Sequence, residues 1–279
     1  MAVSSVVDFG RRLIQSRDLD PVYVALHGCP ELAKRPDYRP GTAWAWLVAY
    51  WSFYHVGTAS WIVDGLAIGE PEYWSRHGRA ANSKGYPRCS ERRHYRAENA
   101  RKSHVYLSNR GLTGLWNDVA LTNDAGCGWS CDRVMKAVQK WVGFGPWIAF
   151  KAADMLERLE LLPIQFSTSD AYLFDSPMDG ARLLREEMGA EVDDAEVASW
   201  ATSVLIAEYD DLLAPPAMDR PIGPQEVETV LCKAKSHHAG RYHVGEDIEA
   251  VRLGLDKFRL ASPIARAIQA NSNRQGLFG

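Results

Sequence analysis

The sequence predicts an all-α protein. Apolar residues recur at helical spacing in most segments, for example at Val134, Val138 and Trp141, whereas the alternation of apolar and polar residues that is typical of half-buried strands is nearly absent. Breaks that contain glycine or proline separate the helical segments. The 279 residues contain no internal repeat and no low-complexity linker, which fits one compact domain or two interlocked lobes equally well.

The breaks place the elements in chain order. A short helix is predicted over residues 6–16, and a proline-bounded loop over 30–40. A long aromatic helix is predicted to begin at residue 41 and to end near residue 65 or 69, and residues 70–104 are predicted to be irregular and basic. The remaining helices are predicted over residues 114–121, 131–141, 146–162, 178–188, 191–213, 225–236 and 246–260. The predicted domains are an N-terminal extension (1–40), a helical domain (41–260) and a C-terminal tail (261–279).

Residues 41–63 contain no lysine, arginine, aspartate or glutamate, and the segment is long enough to cross a bilayer. Polar side chains are spread through it, however, and its aromatic residues lie in the middle rather than at the ends. The segment is therefore predicted to be a buried central helix with a polar edge toward a pocket, and not a membrane span.

The overall charge gives no general attraction to nucleic acid, because the formal net charge is −3. Any affinity for DNA must therefore be local. Five cysteines without a secretory signal pattern at the start predict reduced thiols in a cytoplasm.

The most informative motif is Val142-Gly143-Phe144-Gly145, which lies between two predicted helices. Apolar–Gly–apolar–Gly in this position is the pattern of the helix-hairpin-helix DNA-binding motif. The glycines allow a tight turn, and the exposed N–H groups at the start of the second helix suit a DNA phosphate. The residues predicted to bind DNA here are Val142, Gly143, Phe144, Gly145 and Trp147. The alternative is an ordinary turn in a helical hairpin.

A basic segment precedes the hairpin. Residues 76–102 contain nine lysines and arginines against two acids, with tyrosines and histidines between them. Cations and aromatic rings together suit phosphate neutralisation and base stacking. Arg92, Arg93 and Arg96 are therefore predicted to bind DNA, and the alternative is a solvated surface loop.

A third signal is the polar cluster at residues 232–247, which contains three histidines, three cations, a thiol, a tyrosine and two carboxylates. Lys233, Lys235, His237 and Arg241 could hold a phosphate-rich group, and Asp247 or a histidine could accept a proton. The cysteine and histidine spacing does not match a standard zinc site. The alternative is a surface turn at the C-terminal end of a helix.

The hairpin and the segment LCKAKSHHAGRYHVGEDI (231–248) resemble the phage-encoded amino acid:DNA transferases. This group belongs with the α-glutamyl/putrescinyl-thymine pyrophosphorylases and is similar to helix-hairpin-helix DNA glycosylases. The resemblance extends from about residue 40 to 255. It implies a helix-hairpin-helix glycosylase-like fold.

The same resemblance implies a reaction on hypermodified thymine in double-stranded DNA. A partner kinase converts 5-hydroxymethyluracil in DNA to its pyrophosphate ester, and the transferase replaces pyrophosphate with an amino acid or amine, of which glycine is plausible. The target base must be flipped out of the duplex. No cofactor, metal or membrane is expected, and the expected location is the cytoplasm of an infected bacterial cell.

The residues can be given roles in this chemistry. The catalytic candidates are Asp170, Asp247, Lys233 and His237. The candidates for substrate binding are Trp51, Tyr54, His55, Lys235, Ser236, Arg241 and Tyr242. Trp147 stands where lyase-type glycosylases carry a nucleophilic lysine, which argues against Schiff-base chemistry.

Two other functions fit parts of the sequence. A monofunctional base-excision glycosylase could use Asp170 to stabilise positive charge on the sugar. A non-catalytic DNA-binding module would need only the hairpin and the basic segment, but it leaves the cluster at 232–247 unexplained.

Overall fold

The computed structural model describes residues 5–33, 41–92, 94–123, 128–167 and 174–278. Helices dominate these residues, which confirms the predicted all-α class. The α-helices are α1 (Ser5–Ser16), α2 (Pro21–Leu26), α3 (Pro30–Ala33), α4 (Thr42–Phe53), α5 (Val56–Val63), α6 (Glu70–Asn82), α7 (Ala97–Ala120), α8 (Cys131–Val138), α9 (Pro146–Arg158), α10 (Asp175–Met188), α11 (Val197–Glu208), α12 (Pro224–His238), α13 (Glu246–Asp256) and α14 (Pro263–Arg274). Two short strands, β1 (Trp129–Ser130) and β2 (Ile164–Gln165), and two 3₁₀ helices, Asp64–Ala67 and Ser90–Arg92, are also among the described elements.

The chain divides into two compact units. Unit 1 comprises Met1–Val24 and Gln165–Glu249, and unit 2 comprises Ala25–Ile164 and Ala250–Gly279. The predicted domain limits near residues 40 and 260 stay a prediction.

Unit 1 is built on α12, which packs against α10 and α1. The approach of α10 to α12 is close, because a Cβ atom on Gly180 would lie 2.1 Å from the carbonyl oxygen of Leu231. The N-terminal end of α12 is capped by Glu226, whose side chain accepts from the Gly223 N–H at 2.7 Å and pairs with Arg220.

The core of unit 2 is aromatic. The indole rings of Trp44, Trp51 and Trp141 are fully buried or nearly so and contact one another edge to face or tilted. The buried indole N–H groups have partners: that of Trp44 donates to the Leu112 carbonyl at 2.9 Å. The expectation that the uncharged segment is buried is confirmed, since α4 is almost completely buried.

The prediction of one long helix for this segment is wrong, because the segment forms two helices. Tyr54 adopts a left-handed conformation with φ 49° and ends α4, and His55 begins α5. No described helix is both long enough and apolar enough to span a bilayer.

Other predicted boundaries also change. Residues 70–82 and 97–104 are helical and not irregular, because they belong to α6 and to the first part of α7. The helix predicted from residue 114 begins at Ala97 and is kinked at Gly111, whose φ is 68°. The predicted C-terminal tail contains α14, which Ser262 caps by accepting from the Ala265 N–H.

Candidate functional site

The hairpin is a glycine turn between α8 and α9. Gly143 has a φ of 86°, and a Cβ atom there would lie 3.2 Å from that of Ser103, so both conformation and space favour glycine. The Phe144 N–H donates to the Trp141 carbonyl at 3.0 Å, and the Phe144 ring is buried against the Trp141 indole. The turn is therefore fixed from its inner side.

The outer side of the hairpin is open. Gly145 has an ordinary φ of −83°, and a Cβ atom there would meet nothing within 4 Å. Pro146 opens α9, and the first-turn N–H groups of Trp147 and Ile148 have no preceding carbonyl in the helix to which they could donate. The backbone in front of α9 is thus accessible to a ligand. The helix-hairpin-helix assignment itself stays a prediction.

A cavity of about 430 Å³ lies beside the hairpin within unit 2. Its walls come from the hairpin, the start of α9 and the basic segment. They consist of Arg92, His94, Tyr95, Asn99, Lys102, Val142, Gly143, Gly145, Pro146, Trp147 and Ile148. The structure thus joins two regions that the sequence analysis identified separately.

Arg92 connects these two regions. Its Nε donates to the Ser52 carbonyl at 3.1 Å and its Nη1 to the Gly143 carbonyl at 3.2 Å. The guanidinium lies over the rings of Tyr95 and Phe144. Burial lowers the pKa of Arg92 to about 10. Arg92 is therefore a buried support of the hairpin and not a solvated loop cation.

The two other predicted arginines differ from Arg92. Arg96 is exposed at the start of α7, where its side chain remains a candidate for phosphate contact. Arg93 lies outside the described residues.

A row of aromatic rings that are tilted against one another leads from α4 to the hairpin. The Tyr54 ring lies 4.5 Å from that of Tyr50 and 4.9 Å from that of Trp147, measured between ring centroids. Tyr54 and Trp147 are half-buried, so parts of both rings are available for stacking. The position of Trp51 is different, because its indole is fully buried and a base cannot reach it in this structure.

His55 acts as a helix cap. Its Nδ1 accepts from the Thr58 N–H at 3.2 Å and so begins α5. Burial lowers the pKa of His55 to about 4, with a smaller contribution from the charge of Lys257. His55 is therefore neutral at neutral pH, and its role in substrate binding stays a prediction.

Replacing His55 with asparagine is expected to reduce the acid sensitivity of the fold. The folded pKa lies below the ordinary 6.5, so the unfolded chain binds the proton more tightly and stability falls as the pH drops from 6.5 toward 4. The corresponding loss is about 3 kcal/mol. Asparagine keeps the cap but cannot titrate. Urea unfolding from pH 7 to 4 should therefore show a shallower decline for His55→Asn, and an identical decline would contradict this role.

The cluster at 232–247 is organised around Asp18, at the end of α1. Asp18 is fully buried. Its Oδ2 accepts from the Tyr242 hydroxyl at 2.5 Å and from the Gly245 N–H at 2.6 Å, and its Oδ1 accepts from the Ile248 N–H at 2.9 Å. Burial and the nearby carboxylates of Asp247 and Asp18 raise the pKa of Tyr242, so its hydroxyl is held as a donor.

Lys233 already has oxygen partners for its three N–H donors. Its ammonium donates to the carbonyls of Asp18 and Leu19 at 2.7 and 2.8 Å and pairs with Asp247 at 2.6 Å. The Tyr242 hydroxyl is a further acceptor at 3.2 Å. This geometry disfavours the predicted role of Lys233 in holding a phosphate-rich group.

The neighbouring side chains are also engaged. Lys235 pairs with Asp179, and the His237 ring stacks on Phe9 with centroids 4.2 Å apart while its Nδ1 contacts the Tyr242 carbonyl. Ser236 is half-buried and Arg241 is exposed. Asp247 keeps 42% of its side-chain surface exposed, so a substrate could reach its carboxylate.

Asp18 could not be identified from the sequence as a member of this cluster. The residue lies more than 200 positions from its partners and follows a short amphipathic helix, so no local pattern marks it. Asp170 lies outside the described residues, and its predicted role stays a prediction. Among the described residues, no group of three or more His, Cys, Asp or Glu is placed to hold a metal ion.

The protein is a transferase of the type that modifies DNA. The chain belongs to the amino acid:DNA transferase family, whose model matches residues 14–243.

Two relatives from bacteriophages are similar over most of their length. A protein named glycinyltransferase from Pseudomonas phage PaMx11 is 34% identical over 284 aligned residues, which cover 94% of each chain. A protein named putrescinyltransferase from Delftia phage PhiW-14 is 27% identical over 249 residues, or 87% of this chain and 75% of the relative.

Proposed function

We propose that the protein transfers glycine, or another amino acid or amine, onto 5-pyrophosphorylmethyl-uracil in double-stranded DNA and releases pyrophosphate. The observation that carries the proposal is the cavity that joins the hairpin and the basic segment, in a chain of the amino acid:DNA transferase family. The greater identity to a glycinyltransferase than to a putrescinyltransferase supports glycine as the co-substrate.

The reaction breaks one bond and forms another. The amine nitrogen bonds to the exocyclic methylene carbon, the carbon–oxygen bond to pyrophosphate breaks, and its electron pair leaves with pyrophosphate. The nitrogen loses a proton. The substrate requires a kinase acting earlier on hydroxymethylated DNA, in the cytoplasm of the infected bacterial cell.

The residues divide this work between DNA binding and proton transfer. The open backbone at Gly145 and the start of α9 anchors the duplex, and the half-buried rings of Tyr54 and Trp147 supply stacking surface for an unstacked base. Asp247, held by the Lys233 ammonium, accepts the proton of the amine. Asp170 is the second proposed base.

The two hairpin glycines are expected to respond differently to substitution. Gly145→Val should weaken binding to all DNA sequences by about tenfold, or ~1.4 kcal/mol, because phosphate contacts do not discriminate sequence. Its loss of folding stability should stay below about 1 kcal/mol, since a Cβ atom there meets nothing within 4 Å and only the N-cap preference for glycine is lost. Gly143→Ala should instead cost about 1–2 kcal/mol of stability, because φ is 86° there. Fluorescence anisotropy with two unrelated duplexes and thermal melts check both. Full DNA affinity in folded Gly145→Val would contradict the anchor.

The function is tested by digesting treated DNA to nucleosides for mass spectrometry. The substrate is a duplex with the pyrophosphorylated base, incubated with the protein and glycine. A thymidine heavier by one glycinyl substituent supports the proposal. Abasic sites would show a glycosylase instead, and unchanged DNA would show a binding module.

A further inference from the structure

We infer that the cavity beside the hairpin is an oxyanion site built on Arg92, which takes a phosphoryl group. The inference rests on the proposed function only for the source of that group, which is either the pyrophosphate ester or the DNA backbone.

The first observation is the environment of Arg92 in the cavity wall. Its side chain is only 6% exposed. Within the described residues, its hydrogen bonds go to the main-chain carbonyls of Ser52 and Gly143 and none goes to a carboxylate. A buried cation is normally paired with an anion. Arg92 therefore leaves a positive charge uncompensated next to the cavity.

The second observation is the Nη2 atom of the same guanidinium, which is buried and has no hydrogen-bond partner. Buried polar groups in folded proteins nearly always have one. The two N–H groups that do have partners hold the guanidinium in place, so a residue of the cavity wall keeps an unused donor at Nη2.

The third observation is the rest of the wall. Lys102, His94 and Asn99 are exposed at the rim, and the N-terminal end of the 13-residue helix α9 faces the same space. Cations, amide donors and a helix N-terminus together suit an oxyanion. At about 430 Å³ the cavity has room for a diphosphoryl group.

The cluster at 232–247 offers less to such a ligand. Lys233 is bound to Asp247 and two carbonyls, and Lys235 is bound to Asp179. The charge of pyrophosphate therefore finds a better partner in Arg92, which has no carboxylate partner among the described residues, and the cluster keeps the carboxylate of Asp247 for the amine.

The experiment compares Lys102→Gln with Lys136→Gln. Both lysines are exposed and paired with an acid one turn away, but only Lys102 lines the cavity. Titration with inorganic pyrophosphate should show binding to the wild-type protein, about tenfold weaker binding to Lys102→Gln and unchanged binding to Lys136→Gln. Arg92→Lys keeps the positive charge but removes the planar guanidinium with its several N–H donors, so it should weaken pyrophosphate binding at least as much.

Affinity for an unmodified duplex identifies the source of the phosphoryl group. If Lys102→Gln has a lower affinity for pyrophosphate but an unchanged affinity for the duplex, the site holds the leaving group. If Lys102→Gln has a lower affinity for the duplex, and pyrophosphate does not bind to the wild-type protein, the site holds a backbone phosphate. The inference is overturned if both affinities are unchanged in Lys102→Gln or if Lys136→Gln loses as much. These binding measurements do not require turnover. Failure of the proposed transfer reaction would therefore appear only in the nucleoside digest and not in these affinities.

Discussion

Replacing Asp18 with asparagine is expected to destabilise the protein by about 3 kcal/mol. Asp18 is fully buried and accepts from the Tyr242 hydroxyl and from the N–H groups of Gly245 and Ile248. Hydrogen bonds to a charged group contribute about 1.5–3 kcal/mol each, and an amide NH₂ would face donors in place of an acceptor. Transfer activity should also fall, because Tyr242 and Lys233 position Asp247.

Asp20→Asn is the matched control, since Asp20 lies two residues away and accepts one bond of 3.3 Å from Thr229. Its loss should stay below about 1 kcal/mol. Chemical unfolding of both variants gives the comparison. Equal stabilities for the two variants would show that the network around Asp18 contributes little.

The second large effect is expected at Gly180, where α10 crosses α12. A Cβ atom at Gly180 would lie 2.1 Å from the carbonyl oxygen of Leu231, which is backbone and cannot move aside. Gly180→Ala must therefore separate the two helices of the unit 1 core. We expect a loss of about 3 kcal/mol or more, as for severe overpacking of a core.

Gly114→Ala is expected to change the folding stability in the opposite direction. Gly114 also lies within a helix, α7, but its Cβ would meet only the flexible side chain of Arg110 at 3.2 Å. Alanine is favoured over glycine inside helices by about 1 kcal/mol. Thermal melts should show a lower midpoint for Gly180→Ala and an equal or higher one for Gly114→Ala. A lower midpoint in both would mean that helix packing at Gly180 is not the cause.

Most of the helices could be predicted from the sequence because their signals are local. The stripe of apolar residues before Trp141 and the Pro146 start of α9 are both readable without a structure. The break at Tyr54 was not readable, because a tyrosine with positive φ is held by its surroundings and not by its own preference. The α6 helix was not predicted, because its many charged residues indicated a solvated loop, whereas Tyr73, Trp74 and His77 form a buried face.

The candidate sites were predictable only in part, for the same reason. Residue types indicated cations near the hairpin and at 232–247, but not which of them are already neutralised. Lys233 is neutralised by Asp247, 14 residues away, and by a carbonyl more than 200 residues away. Arg92 is buried by contacts such as that with the Ser52 carbonyl. Such tertiary contacts cannot be read from the residue types. Asp18 depends on such contacts entirely.

Each of the two units carries one polar site, the cavity beside the hairpin in unit 2 and the cluster around Asp247 in unit 1. In our account the cavity beside the hairpin binds phosphoryl oxygens, and the carboxylate of Asp247 serves the amine. Each site has one group fixed by buried partners, Arg92 in the first and Lys233 in the second. Such fixed positions reduce the reorganisation that charge displacement requires.

The central claim is that attachment of the amine is coupled one to one with loss of pyrophosphate. The direct measurement is the ratio of pyrophosphate released to glycine incorporated, followed with labelled glycine on DNA that carries the pyrophosphorylated base. We predict one pyrophosphate for each glycine at every time point. Glycine incorporation without pyrophosphate, or release of pyrophosphate that leaves no glycine on the base, would contradict the account.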